Sequence, residues 1–556
     1  MMTAMEYYNG DQLAHMGDLP SMAADRYGEQ TAFVFQGLET SFAELEAEAN
    51  QVANMLVDHG VEAGDRVGLF IPNTPRFPKS YFGAIKAGAI PVPLNLRMDP
   101  ETLAFVIQDA GIDVLFGSPF LADEVQNLAA AAEVGTLFLP GVSDDGVINY
   151  SHTIADHAET FDREAEGVDR EFEDVAVQPY TSGTTGKPKG VQLTHENLLS
   201  TIEAYDNGGL PLDPDDTFLL VLPLFHIYGL NALLGSGLYS GATMVLVAQP
   251  EPEPMLNGIQ NNDVTNFAGV PAMYTMMFRE YRENPEKYDL SSLESVTCAA
   301  APLADATRRE IMEEWDVPMV EGWGMTETAP AGTVEPSRGV RKAAGCVGPV
   351  LDGVEIKLVD PGTRETKVST DQLEPIPDDD LDFEDEASVT GEIAIRGPNV
   401  FEGYYNRPEK NEQVFDDEGY FYTKDIARVD EDGYFWIVDR ADDMIIAGGE
   451  NIYPAEVEDA LYEHPDVEEA AVVGAPHEVK GEAPVAYVVL SEGADVSEQD
   501  LREFTLDYVP TYAHPRRVFF VDELPRSATQ KVQRYKLEEE TEDRLSEPLH
   551  SDDEEL

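Results

Sequence analysis

The sequence predicts an α/β protein, with a large N-terminal domain resting mostly on parallel sheets and a smaller α+β domain after it. Three observations carry this expectation. A chain of 556 residues is too long for a single core. Over roughly the first 430 residues, short apolar runs alternate with helical patterns, as in sheets covered on both faces. Near Arg440 that pattern gives way to about one hundred residues of mixed helix and strand.

The elements follow in order. RVGLFIPN, starting at Arg66, reads as a strand, FPKSYFGAIKAG as a helix, AIPVPLN as a strand, PETLAFVIQDAG as a helix and DVLFGS as a strand. Helical crossovers between strands are what a parallel sheet requires. EDVAVQPY is strand-like, Val191 to Leu193 is a short strand, and Thr194 caps the helix after it. The stretch from Thr217 to Pro250 carries no Asp, Glu, Lys or Arg, but Pro223, His226 and four glycines interrupt it. Its short apolar runs fit a buried helix and strand, not a membrane span. Asp371 to Ser388 has the composition of a solvated acidic loop.

In the smaller domain, Pro454 opens the helix PAEVEDALYEHP, and VEEAAVVGA and APVAYVVL are strands. Ser497 caps a further helix, and RRVFFVDEL is another strand. The expected division is 1–439, 440–540 and an acidic, disordered tail at 541–556, with no internal repeat.

Composition excludes some functions. The chain has 107 acidic and 36 basic residues, for a net charge of -71. Such a surface repels nucleic acids and anionic membranes. Only 13 of the basic residues are lysines, and acidity spread along the whole chain resembles proteins of salt-accumulating halophiles, where molar salt shortens the Debye length to ~3 Å. Two cysteines, Cys298 and Cys346, make neither a disulfide framework nor a Cys-rich zinc site. With no basic segment leading into an apolar core at the N-terminus, a reducing cytoplasm is the expected location.

One stretch points to chemistry: YTSGTTGKPKG, Tyr180 to Gly190. A nucleoside-triphosphatase P-loop is excluded, because Thr181 stands where its first glycine belongs and Pro188 turns the chain away from helix after Lys187. Phosphate binding still suits the loop. Its glycines let backbone N–H groups converge on an anion, its hydroxyls add donors and Lys187 adds charge.

YTSGTTGKPKG resembles the phosphate loop of the acyl-adenylate-forming superfamily, in particular its acyl-CoA synthetase and fatty-acid–CoA ligase branch. PLFHIYGLN, CAAAPL, EGWGMTET, the stretch GYFYTKDIARVDEDGYFWIVDRADDMIIAGGENIYPAEVE, and LPRSATQKVQR resemble the family's other motifs, in the family's order and over nearly the whole chain. The resemblance implies a small β-barrel-like part within the large domain and a mobile small domain carrying a catalytic lysine.

By that resemblance, Thr181, Ser182, Gly183, Thr184, Thr185, Gly186 and Lys187 cradle the phosphates of ATP. Ala300, Ala301 and Pro302 form the adenine loop, Trp323 flanks the base, and Glu321, Gly322 and Gly324 belong to the nucleotide-binding motif around it. Thr326 and Glu327 place the nucleotide and Mg²⁺, Glu327 being the metal ligand, since a hard cation prefers oxygen. Asp425 accepts from the ribose hydroxyls beside Ile437 and Arg440. Gly448 and Gly449 line the passage of the coenzyme A arm, and Lys531 bridges carboxylate and phosphate. His226 gates an acyl pocket lined by Tyr228 and Ala299, and Asp442 is the hinge. Two positions depart from the family pattern: Lys424 stands where glycine usually precedes the aspartate, and Gln530 where glycine commonly precedes the lysine.

The implied enzyme is an acid–thiol ligase using ATP, Mg²⁺ and coenzyme A. It makes acyl-AMP and pyrophosphate from a carboxylic acid, then acyl-CoA and AMP. HIYGLN resembles hydroxycinnamate ligases and YTKDIARVDEDGYFWIVDRADDMI resembles fatty-acid ligases; a medium- or long-chain fatty acid is preferred. An aromatic acid, loading of a separate carrier protein, and a silent nucleotide-binding protein are the alternatives. A homodimer is compatible with the resemblance.

Overall fold

The computed structural model describes residues 5–6, 12–142, 147–181, 187–209, 211–299, 305–336, 345–373, 381–448, 450–491, 493–494, 496–526, 532–545 and 548–550. The architecture is α/β, with a large N-terminal part and a smaller C-terminal one.

The first sheet has five parallel strands, with Arg66–Phe70 between Ile90–Pro93 and Val114–Gly117, followed by Thr136–Phe138 and Val147–Ile148. Two of its crossover helices, Arg76–Lys86 and Pro100–Ala110, are those read from the sequence, and a third, Ala122–Ala131, is not among the helices read. Arg76–Lys86 packs closely on Phe42–Asp58, for a side-chain carbon at Gly83 would come within 2.4 Å of Val52. Pro100–Ala110 starts under the Asp99 side chain, which accepts from the Thr102 N–H, and stops at left-handed Gly111.

The second sheet runs Thr333–Val334, Met319–Trp323, Ser295–Ala299, Asn266–Gly269, Thr217–Leu220, Thr243–Leu246, Thr31–Phe35 and Leu38–Ser41. Its six central strands are parallel and only the two outermost pairings antiparallel. The uncharged stretch after Thr217 supplies two of these strands, with the buried helical turns Tyr228–Gly235 and Ser236–Ser240 between them. Among the described residues no helix is long and apolar enough to cross a membrane.

The part expected to be barrel-like is a six-stranded antiparallel sheet in the order Cys346–Gly348, Phe435–Arg440, Phe421–Val429, Thr390–Arg396, Glu355–Val359, Thr366–Ser369. A small sheet joins distant parts of the chain. Lys189–Thr194 pairs with Val175–Val177, with Tyr180–Thr181 and with Gly403–Tyr404.

Near the N-terminus two buried imidazoles, His15 and His195, stack with ring centroids 4.0 Å apart. His195 Nδ1 accepts the Met16 N–H and His15 Nδ1 the Gly17 N–H. Burial drives both imidazoles toward the neutral form, His195 down to about 3.

The C-terminal sheet has Gly481–Leu490 between Val467–His477 and Arg517–Phe520, and joins the hairpin Ile445–Ala447 and Glu450–Ile452 at Gly481. Helices Pro454–Tyr462 and Glu498–Thr505 begin at the proline and serine read as their starts. At the junction with the larger part, the Asp439 carboxylate accepts the Ala455 N–H at 2.9 Å, capping the first turn of Pro454–Tyr462. Arg534 donates to both oxygens of Glu458 at 2.6 and 2.8 Å.

The expected disordered tail at 541–556 needs correcting. Residues 541–544 complete the helix Arg534–Arg544, Leu549 is buried against the C-terminal sheet, and His550 Nδ1 lies 2.8 Å from Glu478. Apolar Leu537, Leu545 and Leu549 spaced through the acidic run explain the docking. Residues 551–556 lie outside the described residues.

Candidate active site

Parallel strands present their C-terminal ends as a binding edge, and the second sheet brings two neighbouring ones to the site. Ala299 is in register with Gly322, so the segments that follow Ser295–Ala299 and Met319–Trp323 leave the sheet side by side. Trp323 is buried at the end of its strand, and its indole N–H donates to Asp425 Oδ2 at 2.8 Å. Asp425 comes from the antiparallel sheet, opposite Arg440 on the next strand. Arg440 Nη1 lies 3.3 Å from Asp425 Oδ1. The indole therefore holds one carboxylate oxygen and the guanidinium faces the other. Asp425 is the main influence holding Arg440 charged.

After Trp323 the chain doubles back. A side-chain carbon at Gly324 would lie 1.6 Å from the Pro330 carbonyl oxygen, so only glycine fits. The reversal carries Thr326–Thr328, one 3-10 turn, to the edge of the site. Asn231, in Tyr228–Gly235, ties that turn down by donating to the Ala329 carbonyl at 2.7 Å.

Glu327 within the turn is 5% exposed, and its Oε1 accepts the Tyr404 hydroxyl at 2.8 Å. Burial pushes its carboxyl upward, and the Tyr404 hydrogen bond, Lys189 and Arg440 act in the opposite direction. Lys189 Nζ lies 4.2 Å from the centroid of the Tyr404 ring; burial lowers its pKa and Glu327 opposes the shift.

Sequence reasoning assigned no role to Lys189 or Tyr404. The signal for Lys189 was its place as the second lysine of KPK. Tyr404 sits in GYYNRPE, which carries no chemistry until the fold pairs Gly403–Tyr404 with Val191 and Gln192.

The root of the glycine-rich loop is anchored. Tyr180 donates to Asp109 at 2.8 Å, and Arg407 Nη2 lies 2.7 Å from the same carboxylate. The Thr181 hydroxyl is buried with no hydrogen-bond partner among the described residues, an open donor and acceptor at the mouth of the loop. Lys187 is exposed, its ammonium 4.6 Å from the Phe105 ring centroid. Ser182, Gly183, Thr184, Thr185, Gly186, Ala300, Ala301, Pro302, Gly449 and Lys531 lie outside the described residues.

His226 is half-buried, and its Nδ1 accepts the Tyr228 N–H at 3.3 Å. Asn73 fixes this segment from the first sheet, donating to the Leu222 carbonyl and accepting the Leu224 N–H. Tyr228 is buried, and its hydroxyl is pushed well up by burial first, then by Tyr205 and Cys298. Ala299 is half-buried at the end of the strand beside them.

Three expected residues stand away from this cluster. The Glu321 carboxylate is turned to buried Arg308, 3.3 Å away. Gly448 has φ +67 and donates its N–H to the Lys480 carbonyl at 2.8 Å, so it belongs to the C-terminal part. Asp442 lies within the stretch joining the two parts, and its carboxylate meets the Lys424 ammonium. Ile437 is half-buried on the strand of Arg440, opposite Ala427.

Among the described residues no three His, Cys, Asp or Glu side chains converge as a metal cage. Mg²⁺ is commonly held by one or two carboxylates together with substrate phosphates and water. Glu327 is a buried carboxylate of this cluster.

Comparison with known proteins covers most of the chain. The AMP-binding enzyme family matches residues 21–405, and the AMP-binding enzyme C-terminal domain matches 456–531. A feruloyl-CoA synthase of Amycolatopsis sp is 34% identical over 522 residues, spanning 93% of this chain and 97% of its own. A long-chain-fatty-acid–CoA ligase of Bacillus subtilis (strain 168) is 32% identical over 553 residues, 94% of this chain and 93% of its own. Among solved structures, ATP-bound MatB from Rhodopseudomonas palustris superposes with a TM-score of 0.83 at 32% identity, over 95% of this chain and 99% of that one.

Proposed function

The chain belongs to the AMP-binding enzyme family, and from that premise we propose that its site activates a medium- or long-chain fatty acid for transfer to coenzyme A. The enzyme is an acid–thiol ligase of the AMP-forming kind, using ATP, Mg²⁺ and coenzyme A. The observation that carries the reading is the convergence of Trp323, at the end of a parallel strand, with Asp425 and Arg440, and of Glu327, in the turn that follows, with Tyr404 and Lys189.

In the first step a carboxylate oxygen attacks the α-phosphorus of ATP, and the bond from that phosphorus to the pyrophosphate oxygen breaks. Two anions must approach, so cationic neutralisation is the main demand on the site. Asp425 has the acceptor chemistry for the ribose hydroxyls, with Trp323 and Arg440 fixing its orientation. Thr181 through Lys187 cradle the outer phosphates. Glu327 holds Mg²⁺, which when bound supplies Lewis-acid neutralisation of phosphate oxygens. Thr326 positions the nucleotide, and Lys531 bridges carboxylate and phosphate. In the second step the thiol sulfur attacks the acyl carbon, the acyl–AMP bond breaks and the thiol proton leaves to solvent. The small domain, 440–540, moves about Asp442 between the steps, with Gly448 and Gly449 beside the thiol arm.

The acid has an apolar body. His226, Tyr228 and Ala299 border its pocket, and the groups acting on Tyr228 are the neutral Tyr205 and Cys298. A second reading, an aromatic acid, is favoured by those same buried tyrosines and by the relative named a feruloyl-CoA synthase. The buried, unpaired thiols of Cys298 and Cys346 suit a reducing cytoplasm.

The test is AMP formation from MgATP with a panel of acids, with and without coenzyme A, in dilute and molar KCl. CoA-dependent AMP release with fatty acids is the expected result. Turnover confined to hydroxycinnamates selects the second reading. Pyrophosphate release without CoA turnover points to a carrier protein, and silence across the panel overturns ligation.

A further inference from the structure

We propose that Lys424 is a positioning residue for the two-step reaction: its ammonium clamps Asp442 and thereby sets how long the small domain stays in the pose seen here. The inference rests on the ligase reading above, with Asp442 as its hinge.

The backbone supplies the first observation. Lys424 sits inside the strand Phe421–Val429 with φ +66, in the left-handed region where a side chain is strained and glycine is not. Its own N–H donates to Glu392 at 3.0 Å, and its carbonyl accepts the Ala441 N–H at 2.7 Å. The kink tolerates a side chain without being relieved by it. A lysine kept where glycine would be unstrained implies that its side chain does something.

The side chain supplies the second. Nζ lies 2.7 and 2.6 Å from the two carboxylate oxygens of Asp442. The pair is half-exposed. On one side of Lys424, Asp425 faces Trp323 and Arg440; on the other side of the junction, Asp443 faces Arg534 at 3.6 Å. The clamp therefore spans the point where the strand of the ribose carboxylate meets the linker to the small domain. Rotation about Asp442 changes the backbone angles that place its carboxylate, so both short contacts cannot persist through it.

Half-exposed ion pairs alter equilibria modestly, by roughly two- to fivefold. That size suits a device that biases two poses, because a strong clamp would trap one.

The test uses the full-length enzyme with Lys424→Gly, Lys424→Met, Lys424→Arg and Asp442→Asn. Acid-dependent pyrophosphate release reports the first step, and transfer from preformed acyl-AMP to coenzyme A reports the second. Removing the cation is expected to move the two rates in opposite directions, changing their ratio roughly two- to fivefold, with Arg restoring it. Lys424→Gly and Lys424→Met should shift the ratio alike while differing in melting temperature, Gly being the more stable because it relieves the left-handed strain. A structural role alone would tie the ratio to stability.

Spin labels at Glu294→Cys and Glu503→Cys, both exposed positions, read the distance between the two parts without any turnover. A broader distance distribution in Lys424→Met supports the clamp. An unchanged distribution, or equal changes in both half-reactions, overturns it. Absence of both half-reactions in the wild type would instead defeat the ligase reading, and the distance measurement would still decide the clamp.

Discussion

The indole N–H of Trp323 donates to the carboxylate of Asp425, joining the last residue of a parallel strand to the middle of an antiparallel one. The elements proposed to flank the base and face the ribose are thus one hydrogen-bonded unit. Trp323→Phe keeps the ring's apolar bulk and removes the donor. A hydrogen bond to a charged group contributes ~1.5–3 kcal/mol, so kcat/KM for ATP should fall at least tenfold, with the KM for the acid nearly unchanged. Steady-state titration of each substrate checks this.

Tyr404→Phe removes a side-chain hydrogen bond from the Glu327 carboxylate while leaving its ring beneath Lys189. A carboxylate left loose in a buried site binds a metal less tightly. The Mg²⁺ concentration giving half-maximal rate should rise several-fold, as read from a Mg²⁺ titration at saturating ATP.

Gly324→Ala should be among the most disruptive single substitutions, since its new carbon would overlap the Pro330 carbonyl. The Thr326–Thr328 turn must shift to make room. Loss of adenylation with stability reduced by ~1–3 kcal/mol is expected, measured by urea unfolding alongside pyrophosphate release.

The His15–His195 stack sets a pH dependence of stability. Both folded imidazoles titrate below the ordinary value of 6.5, His195 at about 3, so below 6.5 the unfolded chain binds more protons than the folded one. Their contribution is fully present above pH 6.5 and is lost progressively as pH falls toward 3. Melting temperature should drop across that interval at constant salt, and less steeply in His195→Asn. An equal slope in that variant would assign the acid sensitivity to other groups.

Much of the fold was legible because its strands are continuous apolar runs and its helices carry their caps in sequence. Thr194, Pro454 and Ser497 each start a helix where expected. The site was legible as motifs and not as contacts. Tyr404 could not be linked to Glu327 from a stretch 77 residues away, and Trp323 was read for its ring face while its N–H forms the bond to Asp425. Glu321 was read toward the nucleotide, whereas its carboxylate meets Arg308, a partner visible only once the helix carrying it lies on the sheet. The docking of the described tail residues was missed because net acidity hides Leu545 and Leu549.

The small sheet at the root of the glycine-rich loop has a consequence for how the protein is made. Lys189–Thr194 needs Gly403–Tyr404 as its outer neighbour, and the ribosome delivers that partner about two hundred residues later, a delay of roughly 10–40 s at ~5–20 residues per second. Until then the loop strand has an uncovered edge, and Glu327 lacks its tyrosine. A nascent chain stalled before Gly403 should therefore fail to retain nucleotide even with every loop residue already synthesised.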